Sequence, residues 1–225
     1  MGETVDFKSN GGQTKGYLAV PKSGSGPAVV VIQEWWGLVS HIKDVCDRFA
    51  AEGFVALAPD LYHGEVAKSP DEAGKMMMAL RIDEAEKDLS GAIDYLLAHR
   101  SSTSQNVGVV GFCMGGALSL YAASKNKNVG ACVVFYGIHP NVKPDLPNLN
   151  APVLGIYADG DRSVPPQFVR DLEKQMTALG KSFETHIYRG TDHAFFNDTR
   201  PEVYNAEAST DAWRRVIEFM RANLK

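Results

Sequence analysis

Apolar residues follow two alternating rhythms along this chain. Ala28-Val29-Val30-Val31-Ile32, Phe54-Val55-Ala56-Leu57-Ala58 and Asn106-Val107-Gly108-Val109-Val110-Gly111 are short, nearly continuous apolar runs bounded by turn residues. Such runs predict strands buried on both faces of a parallel sheet. Val129 to Tyr136, Pro152 to Tyr157 and Phe183 to Tyr188 read the same way. Longer amphipathic stretches between them predict helices. These are Ser40 to about Glu52, with Ser40 as the cap and Gly53 as the stop; Pro70 to Arg100, broken near Arg81-Ile82-Asp83; Met114 to Ser124; Pro166 to Leu179; and about Glu202 to Asn223. The opening differs: Thr4 to Phe7 and Lys15 to Val20 flank Asn10-Gly11-Gly12, which predicts a hairpin.

Repeated strand–helix order implies an α/β fold, a mostly parallel central sheet with helices on both faces and an N-terminal antiparallel hairpin. The 225 residues fit one domain of this kind. In such sheets, ligands bind beyond the carboxyl ends of the strands, so chemistry is sought in the loops there.

Charge and cysteine content narrow the field. A formal net charge of −4 attracts neither nucleic acid nor an anionic membrane surface. No stretch approaches the roughly 20 apolar residues of a membrane span. The start, MGETVDFKSNGG, lacks the basic residues and apolar run of a secretory signal. Cys46, Cys113 and Cys132 form no CxxC pair and no zinc-ligand spacing with histidine, so neither a metal nor another cofactor is expected. Sparse free thiols fit a cytoplasmic address.

The segment Gly108-Val109-Val110-Gly111-Phe112-Cys113-Met114-Gly115-Gly116 carries the most information. A buried strand runs into Gly-x-Cys-x-Gly and then a helix. A tight strand-to-helix turn would present Cys113 in a strained, exposed position, and Gly111 and Gly115 would let strand and helix pass closely. The helix N-terminus would favour the thiolate. The same outline without Gly-x-Gly-x-x-Gly or Gly-Lys-Ser/Thr is not a phosphate loop. Cys46 and Cys132, in a helix and a strand, read as packing residues. A nucleophile needs a base, and the base an orienting carboxylate, here in the order nucleophile, acid, histidine. Asp159-Gly160-Asp161 follows a strand, with Asp161 as the acid and Asp159 as the turn-former. His193, in a loop after the last strand, is the base. His41 and His99 lie on helices and His186 in a strand, while His63 and His139 are loop residues near the expected pocket.

These residues resemble the dienelactone hydrolase family of α/β-hydrolases over nearly the whole chain. The landmarks are Gln33-Glu34-Trp35-Trp36-Gly37, Ala58-Pro59-Asp60-Leu61-Tyr62, Gly111-Phe112-Cys113-Met114-Gly115-Gly116, Ala158-Asp159-Gly160-Asp161 and Asp192-His193-Ala194-Phe195. The resemblance implies a carboxylic ester or lactone hydrolase with Cys113, His193 and Asp161 as a triad working through a thioester. It implies an oxyanion site at the N–H groups of Met114 and Trp35, and Glu34 beside the cysteine. A substrate carboxylate would meet Arg81, and the nearest arginine beyond the histidine is Arg200. Trp36, Tyr136 and Phe195 are candidate pocket walls, with Trp35, and the methionines of Met76-Met77-Met78 read as core. A small-molecule substrate and a monomer are expected. The competing readings are a broad carboxylesterase on the same triad and a non-catalytic binding protein of the same fold.

Overall fold

In the computed structural model, which describes residues 2–224, β1 (Glu3–Ser9) and β2 (Gly12–Ala19) form the expected hairpin. Its two-residue turn, Asn10-Gly11, holds both residues at positive φ, 49° and 77°. Such turns match the natural twist of the paired strands, and asparagine and glycine tolerate them best. Then come β3 (Gly26–Ile32), α1 (Ser40–Ala51), β4 (Val55–Pro59), α2 (Pro70–Ala79), α3 (Ile82–Ala98), β5 (Ser102–Phe112) and α4 (Met114–Lys125). The chain ends with β6 (Val129–Phe135), a short 3-10 turn at Leu146–Asn148, β7 (Val153–Ala158), α5 (Pro166–Ala178), β8 (Phe183–Tyr188) and α6 (Ala206–Asn223).

The sheet order is β1-β2-β4-β3-β5-β6-β7-β8. Strands β3 to β8 are mutually parallel, whereas β2 is antiparallel to both β1 and β4. The inner strands are buried on both faces because their side chains alternate between two cores. Val30, Ile32, Val107 and Val109 pack with Leu89, Ile93 and Leu96 of α3 and Leu118 of α4. Val29, Val31, Val110 and Phe112 pack with Ile42, Val45 and Phe49 of α1 and Val216 and Met220 of α6. Each core residue removed from water contributes about 1.5–3 kcal/mol, so these runs hold the sheet between two helical layers.

Two helix starts differ from the sequence expectation. Val39, not Ser40, precedes α1, and no side chain caps that end. Helix α6 begins at Ala206 rather than Glu202, because Asn205 Oδ1 accepts from Ala208 N at 3.0 Å and supplies the cap. The break between α2 and α3 falls where expected, with Leu80 and Arg81 in extended conformations. Ser69 Oγ caps α2 by accepting from Glu72 N.

Candidate active site

The carboxyl ends of β3, β5, β7 and β8 deliver Glu34, Cys113, Asp161 and His193 to one cavity of about 500 Å³. Cys113 follows β5 directly and forms the N-cap of α4 at φ 54° and ψ −118°. A non-glycine residue at such φ costs on the order of 1–3 kcal/mol and persists only when its surroundings impose it. Here the backbone is pinned from several sides. Cys113 N donates to Phe135 O at 3.0 Å, and Cys113 O accepts from Gly116 N at 2.9 Å and Ile138 N at 3.1 Å. The bend also needs Gly111: a Cβ there would lie 1.9 Å from Gly115 O. The thiol-bearing residue is only 8 % exposed, so it lies at the floor of the cavity rather than in the open position expected.

His193 Nδ1 lies 2.6 Å from Asp161 Oδ2. The other oxygen, Asp161 Oδ1, accepts from Ser163 N at 2.7 Å and Val164 N at 3.0 Å. The carboxylate is therefore fixed by backbone before the imidazole leans on it. Burial opposes its charge, but the His193 hydrogen bond, the His193 charge and the two backbone N–H groups hold its pKa below the ordinary carboxylate range. Burial also opposes charge on His193. The hydrogen bond to Asp161, the Cys113 sulfur and the charges of both overcome it and raise the imidazole to about 10. With Nδ1 committed to Asp161, Nε2 is the nitrogen left for Cys113. Asp159 sits in the turn after β7, but its Oδ1 accepts from Gly190 N at 2.8 Å, which ties that turn to the loop after β8 rather than closing the turn itself.

Glu34 is 1 % exposed. Its Oε2 accepts from Asn197 Nδ2 at 2.9 Å, while Oε1 has no partner among the described residues. Asn197 lies in the loop after His193, and nothing in the sequence marks it as a site residue. Trp35 and Trp36 line the cavity, with ring centroids 5.4 Å apart. Met114 opens α4, so its N–H has no intrahelical acceptor and is free to face an incoming oxygen. Cys46 and Cys132 are fully buried; burial pushes the first thiol well up and the second to about 12.

Three expectations need correction. Arg81 does not line the cavity; it precedes α3 in extended backbone that turns its guanidinium to solvent, 67 % exposed, beside Asp83 at 3.6 Å and Glu84 at 3.0 Å. Arg200 and Arg162 line the cavity instead. Arg162 is exposed and forms no ion pair among the described residues, whereas Arg200 Nε donates to Glu202 Oε1 at 2.9 Å. Tyr136 and Phe195 lie one layer deeper, fully buried, with Tyr136 4.9 Å from the His193 ring and Phe195 packed edge-on to Tyr136. Met77, Ile138 and Val203 supply the apolar wall; Met77 packs against the core as well, as does Met76, whereas Met78 is exposed rather than core. Arg162 directly follows the predicted acid and could have been found by adjacency; Met77 and Ile138 leave no such signal. His139 bonds Met77 O through Nε2 at 3.0 Å, and His63 pairs with Asp88, so neither enters this cavity.

An eight-stranded, mostly parallel sheet with a strained residue between β5 and α4, and an acid and a histidine after later strands, defines an α/β-hydrolase. The chain belongs to the dienelactone hydrolase family, whose sequence profile matches residues 14–224. It is 42 % identical to "Protein usf" of Aquifex pyrophilus, with all of both chains covered. It is 38 % identical, again over all of both chains, to a protein of Aquifex aeolicus named "Putative carboxymethylenebutenolidase". The crystal structure of a "Putative Dienelactone Hydrolase" from Klebsiella pneumoniae superposes with a TM-score of 0.89 at 29 % identity, covering 98 % of each chain. The protein is thus a hydrolase of this family. Among the described residues, no helix is long and apolar enough to cross a membrane.

Proposed function

We propose that this enzyme hydrolyses a small carboxylic ester or lactone through a thioester on Cys113. The observation that carries the reading is the convergence of Cys113, His193 and Asp161 on one cavity, with His193 bonded to Asp161 at 2.6 Å. The thiolate sulfur attacks the carbonyl carbon, and the carbonyl oxygen gains the charge. The N–H groups of Met114 and Trp35 receive that oxyanion, each contributing around 3 kcal/mol in a preorganised site. The C–O bond to the alcohol then breaks, and His193 gives its proton to the departing alkoxide. In a lactone, that alkoxide remains attached as the far end of the acyl chain.

Acylation changes the histidine. Once the sulfur is esterified, its negative charge no longer supports the imidazolium, so the His193 pKa falls toward the working range of a general base. His193 then takes a proton from water, hydroxide adds to the thioester, and the C–S bond breaks. The acid leaves and the thiolate–imidazolium pair is restored.

Arg162 and Arg200 favour a substrate bearing a carboxylate, as the carboxylated lactones of the family do. The apolar wall of Trp35, Trp36, Met77, Ile138 and Val203 supports the second reading, a broad carboxylesterase on neutral esters. Rapid quenching with a slowly deacylated p-nitrophenyl ester, followed by peptide mass spectrometry, tests the shared chemistry. The acyl mass belongs on the Cys113 peptide and is absent from Cys113→Ala, which has no turnover. An unmodified Cys113 together with retained turnover in Cys113→Ala overturns the proposal.

A further inference from the structure

Helix α2 carries part of the cavity wall yet rests lightly on the fold. Ala73 is its only buried residue. With Ala73, Met76, Met77 and Leu80 form one narrow apolar stripe at helical spacing, half-buried against the core. The chain can turn on either side of the helix: Gly64 holds φ 101° in open space, and Leu80 and Arg81 are extended. The side-chain hydrogen bonds of Lys75 and Ser69, and that of Glu72 to Lys68 N, stay within this segment. Among the described residues, two hydrogen bonds tie residues 65–80 to the body. Ala67 N donates to Trp36 O at 3.0 Å before the helix, and His139 meets Met77 O near its end.

His139 is buried in the loop after β6. Its Nδ1 lies 3.1 Å from Asn141 N, an N–H that can only donate, so Nδ1 is the acceptor. The ring proton therefore sits on Nε2 and is donated to Met77 O at 3.0 Å. The preceding residue, Ile138, lines the catalytic cavity and donates its N–H to Cys113 O at 3.1 Å. Ile138 and His139 also line a second cavity of about 560 Å³, together with Leu120, Val142 and Phe168. Resting on the reading of the catalytic cavity as an ester-hydrolysing site, we propose that His139 is a positioning residue whose hydrogen bond to Met77 O latches α2 against the substrate and so selects esters with compact groups. With the latch made, Met77 and Ile138 face the substrate from fixed backbones. With it broken, α2 keeps only its stripe of adaptable methionines, and a longer chain passes Ile138 toward the second cavity. Loss of one hydrogen bond of ordinary strength shifts such an opening by up to about tenfold.

The first test needs no turnover. In the wild type, the amides of α2 exchange with solvent at least about tenfold faster than those of α1 and α3. In His139→Leu, which keeps apolar bulk without the donor, exchange in α2 and subtilisin cleavage within residues 64–79 both quicken by about tenfold, while α1 and α3 are unchanged. His139→Gln, whose amide offers an N–H in the place of Nε2, restores the wild-type rates. In turnover, His139→Leu raises KM for p-nitrophenyl acetate about fivefold with kcat within about twofold. It also raises kcat/KM for the octanoate ester relative to the acetate by about tenfold, and His139→Gln reverses both effects. Alkylation of Cys113 by iodoacetamide is not slowed. Equal protection of α2, α1 and α3 in the wild type overturns the proposal, whether or not the variants fold. So do unchanged α2 exchange in folded His139→Leu, an unaltered octanoate-to-acetate ratio, and a glutamine variant that behaves like the leucine one. Faster exchange in α1 and α3 as well, or slowed alkylation, makes His139 a general support and also overturns it. A wild type inactive on both esters sinks the ester-hydrolase reading without moving the exchange rates, so the two failures are distinguishable.

Discussion

Asp161 meets His193 through a single oxygen, Oδ2 to Nδ1 at 2.6 Å, while its other oxygen is tied to the backbone N–H groups of Ser163 and Val164. This division of labour has a mechanical consequence. The two backbone bonds set the plane of the carboxylate, and the carboxylate sets the plane of the imidazole. The nitrogen that faces Cys113 is therefore aimed by the turn after β7, two strands away from the sulfur in the sheet order.

Asp161→Asn keeps that geometry but lets the amide hold the wrong tautomer. An amide nitrogen donating to Nδ1 puts the imidazole proton on Nε2, where a base is needed. We expect kcat/KM for p-nitrophenyl acetate to fall by at least about a hundredfold; neutralising the corresponding carboxylate of a serine triad costs roughly ten-thousandfold in kcat. A loss of less than threefold would mean that Asp161 does not orient the base.

The same pair gives stability a pH dependence with a definite sign. The His193 pKa is raised, to about 10, so its stabilisation is complete below the unfolded value of about 6.5 and is lost as pH rises toward 10. The Asp161 pKa is lowered, so its stabilisation is present above the unfolded value of about 3.9 and is lost as pH falls below it. Scanning calorimetry of the wild type and His193→Gln between pH 6 and 10 checks the alkaline side. The gap between their melting temperatures narrows as pH rises; a gap independent of pH would contradict the assignment.

The inner strands were legible because a sheet covered on both faces selects continuous β-branched runs such as Val29-Val30-Val31. Cys113, Asp161 and His193 were nameable because glycine spacing and chain order constrain them, and the structure brings them together. The helix starts were less legible. Pro201 to Tyr204 continues a helical rhythm, yet Asn205 offers the better cap, and nothing local ranks the two. Pocket walls depend on loop paths, which periodicity does not encode. Arg81 therefore faced solvent, while Met77, Ile138 and Asn197 reached the site unannounced.

Relocating the candidate cations from Arg81 to Arg162 and Arg200 separates two substrate classes. A guanidinium that meets a substrate carboxylate contributes about 1.5–3 kcal/mol, so Arg162→Ala should raise KM for an anionic lactone by roughly tenfold or more. For a neutral p-nitrophenyl ester the same change leaves KM within about twofold. Arg81→Ala affects neither, since its partners are Asp83 and Glu84. Equal effects of Arg162→Ala on both substrates would favour the broad carboxylesterase.

The sharp bend at Cys113 is the feature on which fold and chemistry depend together, and two glycines test it differently. At Gly111 an added Cβ would lie 1.9 Å from Gly115 O and 2.2 Å from Gly115 C, so strand β5 and helix α4 would have to separate. At Gly115 it would lie 2.4 Å from both Gln33 O and Ile32 O, pushing α4 from the end of β3. Neither clash can be relieved by rotating a side chain, because the opposing atoms are backbone. Both substitutions to alanine should cost about 3 kcal/mol or more, in the range of severe core overpacking. Their effects on catalysis differ in origin. Gly111→Ala moves the sulfur itself, whereas Gly115→Ala moves the segment carrying Glu34 and Trp35 and so the proposed oxyanion donor. At a temperature where each variant is still folded by circular dichroism, Gly111→Ala should therefore slow Cys113 alkylation. Gly115→Ala should leave alkylation nearer the wild-type rate and lower kcat. Wild-type stability and turnover in both would show that the close approach of strand and helix is not required.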